Sequence, residues 1–220
     1  MCAMGLGTKK MKVGTLFVSA GLSAILTFAL LAAALTTDYW YIVKVDPVGS
    51  NGSHPLGEEE LDSHSGLWRT CEGKNACILL IDPFGQQNVT ASLQHLLSMH
   101  RTFVVLLPLS LILVVFGGMC GLVSSLAKSF HLLLFSGSFF LIGSLLTMSG
   151  ICVYISYSNA AFEATMQIYE SSAFQQVHIS FGWSMVLAWL SFTTEVFTGT
   201  VLLIAAKIVK QQQAMRSAAI

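Results

Sequence analysis

Four long runs of this chain carry no lysine, arginine or aspartate, and only one of them holds a glutamate. That pattern constrains the fold more than any other feature. Residues 13–37, 102–127 and 129–162 are free of acidic and basic side chains, and 181–206 contains only Glu195. A helix of roughly 20 apolar residues crosses a hydrocarbon core of about 30 Å. Inside lipid the backbone must satisfy its own hydrogen bonds, so such runs are helices rather than open strands. The third run is longer than a crossing needs, and its polar end from Tyr157 leads into water. The expected spans are therefore 13–37, 102–127, 131–157 and 181–206. Composition agrees: 54% of residues are hydrophobic and 10% charged, where a soluble domain has roughly 25% charged. A water-soluble globule is excluded, and so is a disordered chain, which needs high polarity.

Four crossings put both termini on one side. The segments 1–12, 128–130 and 207–220 then hold Lys9, Lys10, Lys12, Lys128, Lys207, Lys210 and Arg216 and no acid. The segments 38–101 and 158–180 hold ten acids against Lys44, Arg69, Lys74 and Arg101. Basic residues near span ends stay in the cytosol. This orientation makes both termini cytoplasmic and the loops 38–101 and 158–180 extracellular, in a multi-pass protein of the plasma membrane. The short turn 128–130 pairs spans two and three as an antiparallel hairpin. The lysine cluster ahead of span one superficially resembles a secretory signal, but a signal core is about 7–15 residues long. The longer run here reads as an uncleaved helix. The whole chain, 1–220, reads as one tetraspan domain.

The first loop carries most of the charge and the two cysteines expected outside, Cys71 and Cys77. In an oxidising compartment a disulfide is the default. The segments 66–71 and 76–81 read as strands joined by a turn over 72–75, which brings the cysteines within reach. Two strands alone are marginal in water. The bond, or further strands, must support them. Asn51-Gly52-Ser53 and Asn88-Val89-Thr90 are acceptor sequences for N-glycosylation, and both fall on the outside. Asn75-Ala76-Cys77 is a poor third, because its cysteine is engaged.

The order Trp40, then Gly66-Leu67-Trp68, then Cys71 and Cys77, all between spans one and two, resembles a known signature. It is that of the claudin, peripheral myelin protein, epithelial membrane protein and calcium-channel gamma-subunit superfamily. Arg101 stands where many members have an arginine at the mouth of span two. The stretches 37–42, 63–69, 107–111 and 180–184 look like a narrower pair of paralogous tetraspans inside that superfamily. The resemblance covers nearly the whole chain. It implies a left-handed, all-α bundle of four transmembrane helices. A small extracellular antiparallel β-sheet would stand above it, built from the first loop and one strand of the second. It also implies one of two roles. Claudins polymerise into junction strands, and their first-loop charges line ion paths. Gamma-type members dock on ion channels as auxiliary subunits. Two departures matter. The Cys71–Cys77 spacing is shorter than in most claudins, which puts paracellular selectivity in doubt. The end Ser217-Ala218-Ala219-Ile220 lacks the hydroxyl that the common PDZ class reads, so PDZ capture by strand addition is disfavoured.

Glu195 stands out because a charged carboxyl at mid-membrane costs roughly 2.5–3.5 kcal/mol on insertion scales. No basic residue occurs in any span, and a transport relay would want a series of ionisable groups. A protonated or hydrogen-bonded group facing the bundle is the favoured reading, with hydroxyls plentiful on the other spans, Ser144 and Thr147 for example. Gly117 and Gly121 in span two, and Gly137, Gly143 and Gly150 in span three, are explained by close packing within the monomer at least as well as by dimerisation. Pro108 is expected to kink span two. Cys120 and Cys152 read as apolar filler, and Cys2 as a possible palmitoylation site. Tyr39, Trp40, Tyr41, Tyr154 and Tyr157 read as an interfacial aromatic belt. Glu58-Glu59-Glu60 reads as a solvated charge run. The histidines lack zinc spacing, and His95 and His100 are five apart, off a shared helical face. No phosphate-binding loop, nucleophile elbow or dinucleotide fingerprint is present. The expectation is a non-enzymatic protein with no catalytic residue, metal or cofactor and no nucleic-acid partner. Its partners are the lipid bilayer and other membrane proteins, through self-association or a channel subunit.

Overall fold

The computed structural model describes residues 2–45, 63–72, 76–79, 91–127, 129–168 and 177–218. Along the chain come α1 (Cys2–Thr36), β1 (Tyr41–Val45), β2 (Ser63–Ser65), β3 (Arg69–Glu72), β4 (Ala76–Leu79), α2 (Ala91–Ala127), α3 (Phe130–Ile168), β5 (Val177–Phe181) and α4 (Trp183–Ser217). All four helices contain stretches long and apolar enough to cross a membrane: Gly14–Thr36, Gln94–Ala127, Phe130–Glu163 and Trp183–Ser217. Many of their large apolar side chains face outward, Leu22, Ile25, Leu122, Leu126 and Leu145 among them. Hydrocarbon is the solvent that tolerates such a surface. The protein is a multi-pass membrane protein with four spanning helices and a small antiparallel sheet.

The chain forms two compact units, each taken here by itself. The first gathers Met1–Ala32, Pro108–Met148 and Trp189–Ile220, and so contains part of every helix. Its centre is Leu133 and Phe140 of α3 with Val114 of α2, Ala20 of α1, and Leu202, Ala205 and Ala206 of α4. Glycines set the helix spacing, as the sequence expected. A Cβ on Gly117 would lie 3.1 Å from the Phe140 ring, and one on Gly121 3.0 Å from Ser136 Oγ. Gly137 and Gly199 face each other across α3 and α4, each 3.2 Å from the other's carbonyl oxygen by the same measure. Polar seams complete the packing. Ser136 donates to the Gly117 carbonyl at 2.6 Å, and Thr198 donates to Ser23 Oγ at 2.8 Å. Lys210 near the end of α4 lies 5.2 Å from the Phe130 ring centroid at the start of α3.

The second unit gathers Ala33–Leu107 and Ser149–Ala188. It holds a five-stranded antiparallel sheet in the order β4-β3-β2-β1-β5. The strand from the second loop, β5, is an edge and pairs with β1 from Tyr41↔Phe181 to Val45↔Val177. Two sequence readings need correction. Gly66-Leu67-Trp68 is a tight connection rather than the start of a strand, closed by Gly66 N donating to the Arg69 carbonyl at 2.8 Å. The strand before it is Ser63–Ser65, whose polar side chains gave no strand signal. The helices also run beyond the lipid-length stretches. α2 begins at Ala91 and α3 continues to Ile168, because ordinary polar helix can extend an apolar core into water. Pro108 sits inside α2, which continues through it.

Candidate functional site

The last four carbonyls of a helix have no partner within it. At the end of α1 three of them are taken by side chains from further along the chain. Thr37 Oγ1 donates to the Ala33 carbonyl at 2.7 Å. The Trp40 indole N–H donates to the Ala34 carbonyl at 2.7 Å. The Trp68 indole N–H donates to the Leu35 carbonyl at 2.9 Å. Trp40 and Trp68 are thus caps on one helix end. Left unmade, each bond would cost the desolvation of a partly buried carbonyl, about 1–3 kcal/mol.

The rest of the motif follows from this arrangement. A Cβ on Gly66 would stand 2.6 Å from Asp38 Cα, so only glycine lets the connection pass the end of α1. Leu67 is fully buried. Arg69, just after it, reaches back to Asp38 with an N–O distance of 2.7 Å. Gly182 obeys the same constraint at the start of α4, where an added Cβ would collide with the Tyr39 carbonyl oxygen. Its N–H bonds the Trp40 carbonyl at 3.0 Å, and Ser184 N–H bonds the Tyr39 carbonyl at 3.2 Å. The segment 38–40 therefore serves as a shared bracket for α1, α4, β2 and β3.

Beneath that bracket lies an aromatic cluster. Trp40 packs on Tyr154 at 4.9 Å between ring centroids, Tyr154 on Phe103 at 5.2 Å, and Phe103 on His100 at 4.9 Å. Trp40 and Tyr154 are buried, which corrects the belt reading for those two. Tyr39 and Trp183 remain exposed, stacked at 5.9 Å. In the sequence His100 is weighed only as a metal ligand and set aside. It is buried with Nδ1 unpaired, between Phe103 and Tyr157. Its three-residue spacing from Phe103 was the available signal.

Cys71 and Cys77 face each other across β3 and β4 and are disulfide-bonded. Cys71 is buried, and β4 carries Ile78 and Leu79 outward at the sheet edge. Arg101 lies on α2 with an exposed side chain, next to buried His100. Cys2 is the first residue of α1. Asn51, Asn88 and Glu58–Glu60 lie outside the described residues. Among the described residues, no three His, Cys, Asp or Glu side chains are grouped to hold a metal ion.

Glu195 belongs to the other unit. It is fully buried. Thr147 Oγ1 of α3 lies 3.1 Å from both carboxyl oxygens, and Ser191 Oγ lies 3.2 Å from Oε1. Ser191 Oγ is also 3.3 Å from the Thr27 carbonyl of α1. Glu195 thus joins α3 and α4 through Thr147 and Ser191, and Ser191 also reaches the Thr27 carbonyl of α1. The sequence had named Thr147 as one available hydroxyl; Ser144 instead bonds the Leu141 carbonyl.

Residues 25–204 match the family described as PMP-22/EMP/MP20/Claudin tight junction. The voltage-dependent calcium channel gamma-3 subunits of Homo sapiens, Bos taurus and Rattus norvegicus are each 33% identical to the chain over 191 residues, covering 81% of it. This four-span membrane protein belongs to the PMP-22/EMP/MP20/claudin family. It spans 57% of the length of those gamma-3 subunits.

Proposed function

We propose that this protein is a non-enzymatic tetraspan of the plasma membrane that acts through protein–protein contacts of its sheet and helices. In this reading it is a claudin-like membrane-organising or cell-contact component. Both termini are cytoplasmic and the sheet is extracellular. The observation that carries it is the sheet's outward apolar surface on a pinned scaffold. Ile78 is 64% and Leu79 76% exposed on edge strand β4, beside a disulfide. An exposed strand edge with apolar side chains is a template for another chain. The family description, with its tight-junction term, supports the cell-contact form. The relatives named as calcium channel gamma-3 subunits support a second reading, an auxiliary subunit of an ion channel.

Expression in cells that lack junction strands separates the two. Clusters at contacts between expressing cells support the cell-contact form. A uniform surface distribution, with near-equal co-purification of a pore-forming subunit and altered gating, supports the channel form. For the orientation, glycosidase should lower the apparent mass, and Asn51→Gln with Asn88→Gln should abolish the shift. A wild-type chain with no shift would contradict the extracellular loop.

A further inference from the structure

In the unit built from Met1–Ala32, Pro108–Met148 and Trp189–Ile220, a groove of about 390 Å³ runs between α1 and α2. Its walls extend from Phe17 to Phe28 on α1 and from Val114 to Ser125 on α2. Phe140 of α3 and Leu202 of α4 contribute to its floor, which is buried, whereas Ile25 and Leu122 on its rim are exposed. No lining residue is charged. Gly21 and Gly118 both line it, and a Cβ on either would meet nothing within 4 Å. That sets them apart from Gly117 and Gly121, whose space is already taken by Phe140 and Ser136.

Three properties define the occupant. The first is length. Phe17 to Phe28 covers about 16 Å of helix, close to the roughly 15 Å hydrocarbon depth of one leaflet. The second is volume. A groove of about 390 Å³ suits one thin, flexible apolar chain laid along it. Its largely apolar lining offers water few hydrogen-bond partners. The third is charge. Lys9, Lys10 and Lys12 precede Phe17 by five to eight residues, with no acid before Asp38. They stand within about two turns of one end of the groove.

We propose that this groove binds one acyl chain of an anionic phospholipid, with the head group at the lysine end. The chain itself gains little over bulk lipid, since tails are as apolar as the groove. Selection therefore comes from the head group, with about fivefold preference for each lysine that meets it. The proposal does not depend on which side of the membrane holds the termini, because lysines and groove end lie together on the same helix.

Native mass spectrometry of the full chain in detergent tests it, with dioleoylphosphatidylserine and dioleoylphosphatidylcholine added separately. One phosphatidylserine per chain should be retained, with at least about tenfold preference over phosphatidylcholine. Gly21→Leu with Gly118→Leu, which fills open space, should displace the chain and lower retention of both lipids at an unchanged melting temperature. Lys9→Gln, Lys10→Gln and Lys12→Gln together should remove the preference. Equal retention of both lipids by the wild type would overturn the proposal, as would full retention in the filled variant. A second readout covers a filled variant that fails to fold. Phosphatidylserine with a diazirine at the chain end should label 17–28 and 114–125 in the wild type. Even labelling of all four helices, or Gly21→Cys cross-linking between two copies, would sink the idea.

Discussion

A single hydrogen bond explains why a tryptophan, rather than any large apolar residue, stands at position 68. The ring is partly exposed, so burial alone is a weak reason for it, but its N–H caps the Leu35 carbonyl. Trp68→Phe should keep most of the packing and lose the cap, lowering stability by about 1–3 kcal/mol in thermal unfolding. No measurable loss would show that the indole N–H is dispensable. Glu195 makes a different test. A glutamine can accept from Thr147 and donate to Ser191, so Glu195→Gln should stay within about 1 kcal/mol of the wild type. Glu195→Ala leaves a cavity and unpaired hydroxyls, and should cost about 2–4 kcal/mol. A large loss from the glutamine variant, with normal folding of the sheet, would mean that the acid itself is needed. These roles were only partly readable in advance. Glu195 declared itself by being the one acid in a span. The capping roles of Trp40 and Trp68 did not, because the bonds join residues 6 and 33 positions apart, a juxtaposition that sequence spacing does not locate.

Elements were legible in proportion to how strongly solvent dictates them. Lipid demands an unbroken apolar run, so all four spans could be read directly. Water makes no such demand on the turns of α2 before residue 102 or of α3 after 157, and these were read as loop. The sheet lies between those extremes. β3 and β4 largely fall within segments legible as strands, whereas Ser63–Ser65 is a strand only because β1 and β3 pair with it on either side. The disulfide is the device that fixes the β3–β4 edge. It closes a short loop, for which chain entropy predicts a contribution of about 2 kcal/mol. Cys71→Ser with Cys77→Ser should therefore lower the melting temperature and reduce delivery to the cell surface. Normal surface delivery and an unchanged melting temperature would remove the bond from the account.

At the scale of the whole molecule, the helices and the sheet divide the labour. The helices present apolar side chains all round and are packed by glycine contacts and hydroxyl seams, which suits a fixed body in lipid. The sheet unit is held by the bracket 38–40 and presents Ile78, Leu79, Phe181 and Trp183 outward. On the proposed function, this outward surface engages another membrane protein, be it a further copy or a channel subunit. The direct measurement is quantitative purification of the tagged full chain from native membranes in mild detergent, comparing wild type with Ile78→Asp, Leu79→Asp. A membrane-protein partner, or additional copies, should be recovered at near-equal amount with the wild type. The variant should lose that partner while surface delivery is kept. A wild-type chain recovered alone, or a partner held equally well by the variant, would contradict the proposed function.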